Sequence, residues 1–137
     1  MNEVDKGYLA AILDGEGSVH VSKPNRKKFI ITRLIFASNT DINIINKIEI
    51  ILRKNGYHPV KTIADARNDK KKGWKDLHRI RLNRKEEIKT IIPEIIKFSS
   101  AKKERLKSLL NIINHKEIEY NYYNIRNLNI RGKYMYE

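Results

Sequence analysis

The chain has 137 residues, enough for one domain with a real core and no covalent staples. Lys and Arg number 29 against 16 Asp and Glu, a formal charge of +13, yet 40% of residues are hydrophobic, which excludes disorder as the main state. With no cysteine, disulfide frameworks, cysteine zinc sites and thiol catalysis are all excluded, and a reducing compartment suits the chain. The first apolar run, residues 8–13, is too short for a signal peptide or a membrane span, and no other run is long enough, so a soluble protein is expected.

Asn and Asp residues, glycines and hydrophobic spacing set the expected elements in chain order. Asp5 is a candidate cap for a helix over residues 5–14, with Leu9, Ile12 and Leu13 as its apolar stripe and Gly15 and Gly17 ending it. Residues 18–22 alternate, valines on one face and Ser18, His20 and Ser22 on the other, as in a strand. Pro24 and Asn25 mark a turn, and the β-branched residues 29–38 suit the return strand. Thr40 and Asp41 open a second helix, with Ile at 42, 45, 48 and 51, that stops at Asn55 and Gly56. Residues 59–67 and 74–83 read as a second hairpin, whose return strand puts His78, Ile80 and Leu82 on one side and Lys75, Arg79 and Arg81 on the other. A short helix over 84–92 is expected to break at Pro93, and a longer one to follow over 100–114. Residues 115–137 fit either a last helix or an extended tail.

The predicted order is thus α-β-β-α-β-β-α-α, an α+β fold with one antiparallel four-stranded sheet, helices on one face and basic side chains on the other. Charge is concentrated to match. Residues 17–35 carry +5 and residues 67–85 carry +7, together +12 of the +13, as a surface for a polyanion would require. The four histidines, His20, His58, His78 and His115, are scattered without metal-ligand spacing, so no zinc site is expected.

Two features of the first helix point to chemistry. Gly7, Ala11 and Gly15 recur every fourth residue and leave one side without bulk, so that a second helix could approach closely. Asp14 and Glu16 hang two acids on the helix C-terminus, where the macrodipole disfavours them. The Asp14 carboxylate is expected to make a local side-chain to backbone bond that shapes the helix end.

The segment Leu9-Ala10-Ala11-Ile12-Leu13-Asp14-Gly15-Glu16-Gly17-Ser18 resembles the signature of the LAGLIDADG homing endonucleases, and the element order resembles their fold, over one domain with its core at about residues 5–114. One copy of the motif implies the homodimeric type, with Gly7, Tyr8, Ala11, Ile12 and Gly15 at the interface. The resemblance implies cleavage of both strands of a long pseudo-palindromic DNA site with short 3′ overhangs, using Mg²⁺ or another divalent cation such as Mn²⁺. Glu16 and the Gly15 carbonyl would be metal ligands; Glu stands where the family usually has Asp. Asn39 or Thr40 would hold a water, and Lys102 would polarise the phosphate, with Lys103 and Lys97 as alternatives.

DNA contacts are expected from Ser18, His20, Ser22, Arg26 and Arg33 on the first hairpin and from Lys61, Asp65, Arg67, Lys75, Arg79 and Arg81 on the second, with Lys27, Lys28, Lys70, Lys71 and Lys72 on phosphates. The family resemblance also implies an intron-encoded protein inside a cell or organelle, without membrane attachment. Alternatives are an intron RNA-splicing maturase of the same fold, or a small basic RNA-binding structural protein.

Overall fold

Asn2 starts the first helix: its side chain accepts from the Asp5 N–H at 2.8 Å, and α1 runs Glu3–Glu16 in the computed structural model. The structure describes residues 1–24, 29–64 and 75–134, without the side chains of 131–134. Asp5, the expected cap, is instead buried and pairs with Lys54 at 2.8 Å. An Asn placed one turn earlier takes the capping role and frees Asp5 for that tie. Gly15 lies inside the helix, which ends at Gly17 with its N–H on the Leu13 carbonyl at 2.9 Å.

The strands are β1 (Ser18–Ser22), β2 (Ile31–Asn39), β3 (Val60–Ala64) and β4 (Leu77–Leu82). They form one antiparallel sheet in the order β1-β2-β4-β3. Cross-strand partners share a face. Val19 with Leu34, and Leu34 with Leu82, therefore point to one side, where Ile80 also lies; His20 with Arg33 point to the other. A register shift between Ile35 and Ala37 breaks simple alternation in β2, so that Ser38, opposite Arg79, joins the arginine face.

The helices α2 (Ile42–Lys54), α3 (Lys85–Ile95), α4 (Lys103–Ile113) and α5 (Ile118–Tyr134) complete the order. Leu9, Ala10 and Leu13 of α1, Ile45, Ile48 and Leu52 of α2, and Ile88, Ile91, Ile92 and Ile95 of α3 bury their side chains in one core with Val19, Leu34, Ile80 and Leu82. Asp41 caps α2 by accepting from the Asn43 N–H at 2.9 Å. At its far end Gly56, at φ +89°, adopts the left-handed turn that glycine favours, and Tyr57 N–H reaches back to the Leu52 carbonyl at 3.0 Å.

Pro93 does not break α3, contrary to the expectation of a stop there. It sits near the exposed C-terminal end, the helix continues to Ile95, and a 3₁₀ turn Ile96–Phe98 follows. The lost bond is one of the last in the helix, and the four buried isoleucines hold the segment across it. The next helix begins at Lys103, not at residue 100, because 99–102 form the approach to it that Asp14 gathers.

The open question of residues 115–137 resolves into α5 over Ile118–Tyr134. It packs on α4 and lies along β1, anchored by buried Tyr122 and Ile125 and by Asn129 Nδ2 donating to the Val19 carbonyl at 3.0 Å. That bond also covers part of the free edge of β1. Among the described residues no helix is long and apolar enough to cross a membrane.

Gly17 is required for space rather than backbone conformation. A Cβ there would lie 2.5 Å from the Ile35 carbonyl oxygen and 2.9 Å from Leu13 Cα, both backbone atoms that cannot rotate away. Gly17→Ala is expected to cost about 2–3 kcal/mol and lower Tm by roughly 10 °C. Thermal denaturation that matches the native chain would show that α1 can lift from β2 without cost.

Candidate functional site

Glu16 ends α1 beside the end of β2. The Asn39 side chain donates through Nδ2 to both carboxylate oxygens, at 2.9 and 2.8 Å. Asn39 is itself oriented, because its Oδ1 accepts from the Asp41 N–H at 2.7 Å. The chain thus runs from the capping turn of α2 through Asn39 to Glu16, and it fixes the carboxylate with an amide rather than with a cation. Thr40, the other candidate at this position, is exposed in the same turn.

Asp14 does something other than the local bond expected of it. Its carboxylate accepts from Ser99 Oγ at 2.6 Å, from the Ser100 N–H at 2.7 Å and from the Lys102 N–H at 3.2 Å. Burial pushes its pKa up, but these hydrogen bonds to the charged form outweigh that and hold it below the usual carboxylate range. Sequence spacing could not show this, since the donors come from the far end of the domain. Lys102 returns the contact by donating through Nζ to the Asp14 carbonyl at 2.7 Å. Burial and neighbouring Arg105 lower the Lys102 pKa, with Asp14 opposing them. Of the three candidate lysines, Lys102 alone is tied to the α1 terminus; Lys103 is exposed and Lys97 lies over the Phe98 ring at 5.1 Å.

Asp14→Ala is expected to cost about 1–2 kcal/mol, since it strands the buried Ser99 hydroxyl and uncaps the approach to α4. Because the folded pKa of Asp14 is depressed, its contribution is present above the unfolded carboxylate pKa and is lost as pH falls through the folded one. Urea denaturation of both chains at neutral and acid pH checks this: the gap between them should close at acid pH, and a constant gap would contradict it.

The outer side of α1 is bare. Ala11 and Gly15 are exposed, Gly7, Tyr8 and Ile12 are half-buried, and Val4 on the same side is 80% exposed. A Cβ at Gly7 or Gly15 would meet nothing within 4 Å, the opposite of Gly17. Lys47 of α2 covers the Tyr8 ring from 4.3 Å. Val4 was missed in the sequence because it precedes the signature and the expected helix start.

The sheet face away from the helices carries His20, Arg33, Arg79 and Arg81, together with Ser18, Ser22, Ser38 and Thr62 by register. Arg79 Nε donates to Ser38 Oγ at 3.0 Å. Burial, then Arg33 and Arg79, lower the Arg81 pKa, a sign of cations crowded together. Several cations elsewhere have acids: Lys6 with Glu94, Lys23 with Glu119, Arg53 and Lys61 with Glu49. Among the described residues Arg33, Arg79 and Arg81 have no ion pair.

Lys61 is not on this face. It pairs with Ile80 across β3 and β4, so it points to the helix side, where its Nζ lies 3.1 Å from Glu49. Thr62 takes the outward position; the start of β3 at Val60 sets that parity, which composition could not fix. Lys75 is exposed just before β4. Arg26, Lys27, Lys28, Asp65, Arg67, Lys70, Lys71 and Lys72 lie outside the described residues.

The bare helix face, the acids at its end and the arginine face of the sheet all lie within the stretch of chain that matches a known domain family. The LAGLIDADG-like domain model matches residues 3–96. The chain belongs to the LAGLIDADG-like family. This LAGLIDADG-like chain is also similar in fold to the homing endonuclease I-CvuI, solved in complex with the I-CreI target in the presence of 2 mM Mg with the DNA not cleaved. The TM-score is 0.59 at 17% identity, covering 82% of this chain and 67% of that one. Among curated proteins, no sequence matches the LAGLIDADG-like chain.

Proposed function

We propose that the chain is a single-domain homing endonuclease that acts as a homodimer and cuts both strands of a long pseudo-palindromic DNA site, leaving short 3′ overhangs. The observation that carries this reading is the Glu16 carboxylate, exposed at the end of a bare helix face and held by the Asn39 amide, with no ion pair among the described residues. Family membership and a fold shared with a DNA-bound relative support it.

Two copies of α1, packed along Gly7, Ala11 and Gly15, would bring their Glu16 carboxylates near the two-fold axis. Like charges so placed favour a divalent cation, and the donors fit a hard one: exposed carboxylate oxygens, with Asp14 already spent on Ser99 and Ser100. Among the described residues of one chain no group of three acids, histidines or cysteines could hold a metal ion, in keeping with a site shared between chains. Glu16 of each chain and the Gly15 carbonyl would hold Mg²⁺ or Mn²⁺. When bound, the metal supplies an activated water and charge neutralisation at the leaving 3′ oxygen.

The chain's own groups do the positioning. Asn39 keeps the Glu16 carboxylate in one orientation, and Asp41 keeps Asn39. Lys102, tied to the helix end, brings a positive charge to the scissile phosphate from the side of Asp14. The open arginine face holds the duplex, with Arg33, Arg79 and Arg81 able to read guanine edges or neutralise phosphates.

The test is incubation of the chain with duplex DNA spanning the uninterrupted host site, with Mg²⁺ or with EDTA. Metal-dependent double-strand cutting is expected. Tight binding of RNA without any cutting of DNA would contradict the nuclease reading and favour the maturase.

A further inference from the structure

The arginine face does not stop at the edge of the sheet. Beyond β1 lies a groove of about 240 Å³ lined by His20 and Val21 of β1 and by Arg126, Asn129 and Ile130 of α5. Its walls are fixed with respect to each other: Asn129 bonds to the Val19 carbonyl, and Arg105 of α4 donates to the Leu128 carbonyl at 2.8 Å. Near the other end of β1, Lys23 pairs with Glu119 at 2.8 Å and lies over the Tyr122 ring. Arg126 is exposed and has no ion pair among the described residues.

We propose that this groove seats one backbone phosphate of bound duplex DNA between Arg126 and His20, so that α5 carries a DNA contact outside the sheet. The proposal rests on the nuclease reading for the identity of the polyanion.

Among the described residues the charged groups that act on His20 are cations: Arg33 from β2, Arg79 and Arg81 from β4, and Arg126 from α5, with Ser18 and Ser22 flanking the imidazole's outward position on β1. Burial first, and then these arginines, lower the His20 pKa, which disfavours the imidazolium in the free protein. A phosphate among them reverses the sign of the local field and favours the imidazolium. Binding then takes up a proton, and affinity falls as pH rises through the range where the bound imidazolium is lost. Arg126 contributes charge without that pH dependence, which gives the two residues separate signatures.

The test uses the full chain and a duplex of arbitrary sequence, because a phosphate seat does not need the cognate site. Affinity is measured by fluorescence anisotropy against salt and against pH. Arg126→Ala should reduce the slope of log affinity on log salt by about 0.9 for each chain bound, and Arg126→Lys should keep it. His20→Asn should flatten the pH dependence near neutrality while leaving the slope at high pH unchanged. Arg126→Ala with native slope and affinity would overturn the proposal, as would a pH dependence that survives His20→Asn. Failure of the native chain to bind any duplex would instead bring down the nuclease reading, and the groove with it.

Discussion

Glu16→Gln is expected to reduce metal-dependent cleavage by at least about a thousandfold, while the protein folds normally and still binds DNA. Gln preserves the length of the side chain and can still meet Asn39 through its carbonyl oxygen, but it removes the negative charge that would hold a cation. Charge stabilisation by a catalytic metal is worth several kcal/mol, and about 4 kcal/mol corresponds to the loss stated. Folding should be unaffected because Glu16 is exposed, makes no ion pair among the described residues and lies beyond the buried stripe of α1. Cleavage and anisotropy assays on one preparation separate the two effects. Cutting at the native rate by Glu16→Gln would remove Glu16 from the chemistry, whereas loss of binding together with cutting would point to a structural role.

Ala11→Arg has the second large effect, and it acts through assembly. Ala11 is exposed at the middle of the bare stripe, between Gly7 and Gly15, so a longer side chain there can extend into solvent in a single chain. In the proposed dimer the same substitution would oppose two guanidinium groups across the two-fold axis, where both bulk and like charge act. Juxtaposed like charges cost several kcal/mol, so cleavage should fall at least about a hundredfold. Thermal stability of the monomer should change little, in contrast to the clash expected at Gly17. An equal mixture of Ala11→Arg and Ala11→Glu chains should recover cutting, since mixed pairs set opposite charges on the axis. A mixture no more active than either chain alone would contradict a seam at this position.

The parts of the fold that the sequence made legible are those with strong periodicity. The isoleucines of α2 placed that helix, although Ile42 turned out 40% exposed and Ile45, Ile48, Ile51 and Leu52 carry the burial. The alternation in β1 and β4 placed His20, Arg79 and Arg81 on the side opposite the core, as the register has them. Other features depend on contacts between distant segments. Asp14 looks like a local turn former in sequence, because nothing in its neighbourhood reveals that Ser99, Ser100 and Lys102 converge on it. The face of Lys61 is not legible in the sequence, because an edge strand with mostly exposed residues shows no hydrophobic alternation to set its phase. The irregularity in β2 hid Ser38 for a related reason: one extra residue inverts every later side chain.

The acid site shows the same division. The signature marked Glu16, and its neighbourhood at the start of the second helix suggested Asn39 as a water holder. The structure has Asn39 grip the carboxylate itself, a role set by the meeting of α1 and β2. Arg126 had no sequence signal, since α5 has a weak apolar pattern and could have been a tail.

The proposed pairing of two chains about the bare face of α1 is the claim on which the seam, the shared acids and the double-strand cut all depend. Light scattering of the active protein, free and on its DNA, tests it most directly. The account predicts twice the 16.2 kDa mass of one chain for the free protein, and that mass plus one duplex for the complex; a single chain that cuts both strands would contradict it.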